Sequence, residues 1–181
     1  SGRGHHASVE RTHGPVERRD RSVEVRADGG EMLGEHRDAF VKLDAELLDL
    51  SKAYAGPRLW RSLLWHLAGH RPAKLKTFGR SVVAWCQVHK PQLVLTTGIA
   101  PIAKEHLLAI KATGAKLANF LTDDPWNPAH RAPWFMHSLP VYDHVFTPRR
   151  ANMNELMSCC TQVEYLPFGY DPVMHAPPPA M

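Results

Sequence analysis

The chain has 181 residues, enough for one domain with a substantial core and too few for a second full domain. Its formal net charge of +4 comes from Lys and Arg spread among acids rather than clustered, which argues against nucleic acid as a partner. No apolar run reaches the roughly 18 residues that span a bilayer and no signal pattern opens the chain, so no transmembrane segment is expected and the reading is cytoplasmic, or at most peripheral to a membrane. Cys86, Cys159 and Cys160 form no CxxC pair, which fits a reducing compartment better than a disulfide framework.

Residues 1–36 are expected to be a disordered or non-native tail. The first 30 are rich in Arg, Glu, Gly and His, with almost no large apolar side chain to offset the entropy of ordering. Order is predicted to begin with a strand over 39–43 and a helical stretch from Asp44 through Leu50. Over residues 57–67, Pro57 stands at a first helical position. Leu59, Trp60, Leu63, Leu64 and Leu67 recur at helical spacing, predicting an amphipathic helix that ends near Gly69.

A second helix is predicted over 74–89, with Leu75, Phe78, Val82, Val83, Trp85 and Cys86 as its apolar residues and Pro91 as its stop. Residues 92–97 are nearly continuously apolar, as in a parallel strand covered on both faces. Gly98 ends that strand and Pro101 opens the next helix. Ile102, Leu107, Leu108 and Ile110 supply its buried face, and Gly114 a left-handed cap. A strand over 116–122, a helical patch over 132–139, a strand over 143–147, a helix over 148–158 and a strand over 162–166 continue the alternation. The fold class that follows is α/β, a Rossmann-like, doubly wound parallel sheet in a single domain over 37–175, closed by a Pro-rich linker at 176–181.

In such sheets ligands bind outside the carboxyl ends of the strands. Thr97 and Gly98 fall at one end, where glycine lets the backbone approach a ligand or simply makes a tight turn. Asp123 and Asp124 fall at the next. Neighbouring strand residues point to opposite faces, so one carboxylate is expected to face the crevice while the other caps or pairs locally. The exposed one can accept a hydroxyl hydrogen bond, act as a general base or hold a divalent cation. His130, His137 and His144 match no zinc spacing, and no metal or other cofactor is expected. Trp126, Trp134 and Phe135 can stack on a sugar ring or pack their loop against the domain. No nucleophile elbow occurs, which excludes that route to covalent hydrolysis.

Four blocks then carry a family resemblance. They are Lys90-Pro91-Gln92-Leu93-Val94-Leu95 before the glycine loop, Phe120-Leu121-Thr122-Asp123-Asp124-Pro125, Tyr142-Asp143-His144-Val145-Phe146-Thr147, and Tyr165-Leu166-Pro167-Phe168-Gly169-Tyr170-Asp171-Pro172. In order and spacing they resemble the amino-terminal domain of GT-B glycosyltransferases of the family 4 type, in the spore-maturation-protein-like branch.

The resemblance implies two facing Rossmann-like domains and transfer of a sugar from a nucleotide-sugar donor to a hydroxyl acceptor, the acceptor held mainly by the first domain. Many relatives of that type carry a His where Asp123 or Asp124 stands, so it is their strand-end position that makes Asp123 and Asp124 the catalytic candidates, with Thr97, Gly98, Trp126, Asn127 and Gly169 as substrate-binding candidates. It further implies that the family's first strand, due before residue 37, is missing here. A carboxy-terminal donor domain is absent, so this chain is expected to be inactive alone. The alternative from another class is a non-catalytic binding or assembly module on the same fold.

Overall fold

A computed structural model describes residues 22–26 and 45–169. Six strands form one sheet: β1 (Ser22–Arg26), β2 (Ala45–Asp49), β3 (Leu93–Thr97), β4 (Lys116–Phe120), β5 (His144–Thr147) and β6 (Val163–Tyr165). Their order across the sheet is β2-β1-β3-β4-β5-β6, and every pairing is parallel. The helices are α1 (Ser51–Tyr54), α2 (Arg58–Leu67), α3 (Leu75–His89), α4 (Lys104–Lys111), α5 (Pro133–Ser138) and α6 (Met153–Cys159), with single 3₁₀ turns at Leu139–Val141 and Arg150–Asn152. The architecture is therefore α/β with an all-parallel sheet, as the alternation of apolar runs implied.

One segment expected in the tail is in the middle of the sheet. Ser22–Arg26 pairs with β2 on one side and β3 on the other, so a first strand before residue 37 is present. The β-branched alternation of Ser22-Val23-Glu24-Val25-Arg26 is a strand signal that the polar composition around it obscured. The strand predicted over 39–43 and the linker over 176–181 lie outside the described residues.

A second correction concerns the helix expected from Asp44 through Leu50, because Ala45–Asp49 is strand β2. Leu and Glu are good helix formers, but intrinsic propensity is small per residue and parallel pairing to β1 overrides it. Asp49 then turns the chain. Its Oδ1 accepts a hydrogen bond from Ser51 N at 2.8 Å and its Oδ2 one from Ser51 Oγ at 2.7 Å, leading into α1. These two bonds hold the Asp49 carboxyl below its usual pKa.

The sheet's two faces differ. Val94, Thr96, Leu117, Asn119, Val145 and Thr147 are all fully buried, whereas Leu93, Leu95 and Thr97 on the opposite face of β3 are half-buried. Right-handed crossovers explain this difference. The connections β2 to β3, β3 to β4, β4 to β5 and β5 to β6 all run in one direction and put their helices on one face. Only the β1 to β2 connection runs the other way, and its residues lie outside the described ones.

On the covered face α3 packs against α4 and α4 against α5. Val82, Cys86, Leu107, Ile110, Phe135 and Leu139 fill the layer between helices and sheet. Gly79 permits the α3–α4 approach, since a Cβ there would stand 2.5 Å from Cγ of His106. Helix α4 begins at Lys104 rather than at Pro101, and Leu108 points outward, half-exposed.

Helix α2 departs from ordinary amphipathic packing. It forms where its spacing predicts, yet none of its residues is buried, with Leu59 87% and Leu67 77% exposed. Its carboxyl end is anchored instead. Gly69 and His70 take left-handed φ of 62° and 57°. His70 Nδ1 sits 3.0 Å from the Arg131 carbonyl, and Trp134 Nε1 donates to the His70 carbonyl at 3.4 Å.

Candidate functional site

The strand order reverses between β1 and β3, and that is where an open parallel sheet leaves a crevice at its carboxyl edge. Thr97 and Gly98 stand at this point. Gly98 has φ 59°, and its N–H donates to the Phe120 carbonyl at 2.8 Å, which ties the loop after β3 to the end of β4. Glycine is needed here because the conformation is left-handed and the position is buried.

Beneath the loop lies a buried polar floor. Asn119 Nδ2 donates to Thr96 Oγ1 at 2.6 Å and to the Gly98 carbonyl at 3.2 Å, and Thr96 Oγ1 lies 3.0 Å from the Tyr142 hydroxyl. Burial pushes the Tyr142 phenol up to about 12, so it remains a neutral hydrogen-bonding group. A buried hydrogen-bonded network of this kind holds a loop in one conformation. Among the described residues, Asn119 Oδ1 alone of these atoms has no hydrogen-bond partner.

The two carboxylates after β4 have different surroundings. Asp124 Oδ1 accepts a hydrogen bond from Trp126 N at 3.0 Å, the local turn cap expected of one member of the pair. Among the described residues Asp123 has only a long 3.5 Å contact, from Thr122 Oγ1, and it is half-buried. It is the freer acceptor. Its charge is felt by Tyr54 of α1, whose pKa is raised first by burial and then by Asp123.

Other candidates are distributed unevenly. Trp126 and Trp134 are half-buried against the core and Phe135 is fully buried, so these rings pack their loop. Asn127 is exposed, and its Oδ1 accepts from Ala129 N at 3.0 Å, shaping the turn. Gly169 is exposed beyond β6, with open space where a Cβ would point. Next to it, Phe168 meets Phe120 edge to face at 5.9 Å.

His144 stacks on Phe146 and lies 3.2 Å from Glu164, while His130 and His137 are exposed. Among the described residues no group of three or more His, Cys, Asp and Glu could hold a metal ion. Cys86 and Cys160 are buried thiols pushed up to about 11 and about 12 by desolvation, the latter also by Cys159 beside it.

Two residues at this edge carried no signal in the sequence. Tyr54 reaches it from a four-residue helix, and Arg149, after β5, donates from Nε to the Thr122 carbonyl at 3.0 Å. Arg149 fixes the backbone next to Asp123 and leaves its guanidinium exposed to solvent. Arg150 lies over the Tyr165 ring at 3.9 Å. The edge therefore offers a carboxylate acceptor, guanidinium donors and a rigid glycine loop, a set suited to a polar, hydroxyl-bearing ligand. No helix among the described residues is long and apolar enough to cross a membrane. The chain matches no protein-family model and no curated protein.

Proposed function

We propose that this chain is the acceptor-side domain of a two-domain GT-B glycosyltransferase, whose whole reaction moves a sugar from a nucleotide donor to a hydroxyl. The observation that carries the reading is the difference between the two carboxylates: Asp124 is occupied as a turn cap, while Asp123 at the carboxyl edge accepts only a long 3.5 Å contact from Thr122 among the described residues. Three of the four resembling blocks also bring described residues to that edge: Phe120–Pro125 leaves β4, the block closing on Thr147 ends with β5, and Tyr165–Gly169 leaves β6. In this reading Asp123 accepts the acceptor's hydroxyl hydrogen and acts as base or orienter. Thr97, on the loop that the buried Gly98 fixes, and the exposed Gly169 beyond β6 border that edge. The sugar nucleotide is held mainly by the donor domain.

Isothermal titration with a panel of uridine, guanosine and adenosine diphosphate sugars tests the assignment of sides. The chain by itself is expected to show no saturable heat. Tight binding of any nucleotide sugar would place the donor site on this domain and reject the acceptor-side reading.

A further inference from the structure

Helix α2 is amphipathic in an inverted sense. Arg58, Arg61, Trp65 and His66 line a cleft completed by Tyr54 and Arg71, so the polar arc of the helix faces the body of the domain. The opposite arc, carrying Leu59, Trp60, Leu63 and Leu67, faces solvent, with Leu59 the most exposed. This is not a loose helix that could turn over, because His70, Trp134 and the left-handed pair at Gly69 and His70 fix its carboxyl end. Gly69 itself packs so closely that a Cβ would stand 2.7 Å from Pro133 Cδ.

The stretch of sequence that carries this helix has charge of one sign. From residue 50 through residue 104 there are nine Lys and Arg and no Asp or Glu. Arg58, Arg61, Arg71 and Lys74 have no ion pair or side-chain hydrogen bond among the described residues. We propose that α2 docks this domain on an anionic phospholipid surface, with Leu59, Trp60, Leu63 and Leu67 entering the headgroup boundary while Arg58, Arg61, Arg71 and Lys74, which line or flank the cleft but are all solvent-exposed, reach out to the phosphates.

Leu and Trp on one arc with cations on the other is the pattern of a helix that lies in the interfacial plane. Protein docking fits less well. Four side chains from one ten-residue helix are a small part of the roughly 20–30 residues a side that a specific protein interface uses. The proposal does not depend on the glycosyl-transfer reading.

The test is flotation of the chain with vesicles of mixed phosphatidylglycerol and phosphatidylcholine, and separately with pure phosphatidylcholine. The chain is expected to float with the anionic vesicles at least about tenfold better than with the neutral ones, and to lose that binding as salt is raised. Leu59→Glu with Leu63→Glu should abolish flotation, and Arg58→Gln with Arg61→Gln should weaken it, with circular dichroism unchanged because these side chains are exposed. The anionic vesicles should blue-shift tryptophan emission, and Trp60→Phe should remove most of that shift. Three results would overturn the proposal: no flotation, equal flotation with both vesicles, or flotation that survives the two Glu substitutions. A vesicle-free dimer that the same Glu substitutions dissociate would also overturn it, by showing that a second copy covers the face.

Discussion

Tyr54 and Asp123 are electrostatic neighbours at the carboxyl edge of the sheet, and the pKa of the phenol is raised by burial and then by that carboxylate. Asp123→Asn removes the second contribution and leaves the first. The ionisation of Tyr54 should therefore move to lower pH in D123N, read by ultraviolet difference titration and assigned with Tyr54→Phe. An unmoved transition would mean that the two side chains do not sense one another.

Asp143 ties the start of β4 to the end of α4. Its Oδ2 accepts from Leu117 N at 2.8 Å, its Oδ1 from Lys111 Nζ at 2.9 Å, and its own N–H donates to the Leu117 carbonyl at 2.9 Å. Burial alone would raise its pKa, but the Leu117 bond and the Lys111 charge outweigh it and hold the carboxyl below 3.8. A depressed carboxylate pKa gives stability that is present above the unfolded value and lost as pH falls through the folded one. Asp143→Ala should cost about 1–2 kcal/mol at neutral pH, mostly from the Leu117 bond because the Lys111 pair is partly exposed and screened. Denaturant melts should show that deficit shrinking below about pH 4.

Gly79 and His106 set the distance between α3 and α4. Gly79→Ala should destabilise by about 1–3 kcal/mol, since its methyl group would overlap the imidazole. In a His106→Ala background the same change should cost much less, and a double-mutant cycle measures the difference. Equal costs in both backgrounds would contradict the packing.

The same imidazole gives a pH effect of opposite origin from that of Asp143. Burial lowers the His106 pKa first and foremost, with Arg80 and Lys76 adding to it and Glu105 opposing. The unfolded chain then binds a proton at a pH where the folded chain does not, so stability holds above 6.5 and falls as pH drops below it. Thermal melts of wild type and His106→Gln between about pH 7 and pH 5 should converge toward the acid end.

What the sequence made legible follows from how local each signal was. Leu93–Thr97 is a β-rich run between Pro91 and Gly98, and Leu75–His89 keeps helical spacing for four turns, so both elements were readable from their own residues. Ser22–Arg26 was not, because five residues of strand pattern sat within a polar segment and the partners that stabilise them, β2 and β3, are distant in sequence. Ala45–Asp49 reads as helix for the same reason: its leucines suit a helix until β1 offers a ladder.

The candidate site shows the same division. The Asp123-Asp124 pair and the Gly98 turn could be located by position at strand ends. Which carboxylate is free depended on the Trp126 amide, and the nearness of Tyr54 and Arg149 depended on the folding of separate elements onto one edge. The spacing of α2 was plain, but which way its apolar arc points was not, since that depends on the anchoring of His70 to residues 131–134.

The most direct test of the acceptor-side reading is chemical-shift mapping of the chain with a set of soluble, non-nucleotide saccharides. The account predicts weak binding whose shifts centre on Thr97, Gly98 and Asp123, and which Asp123→Asn abolishes without loss of fold. Shifts confined to the α2 cleft, or saccharide binding unchanged in D123N, would contradict it.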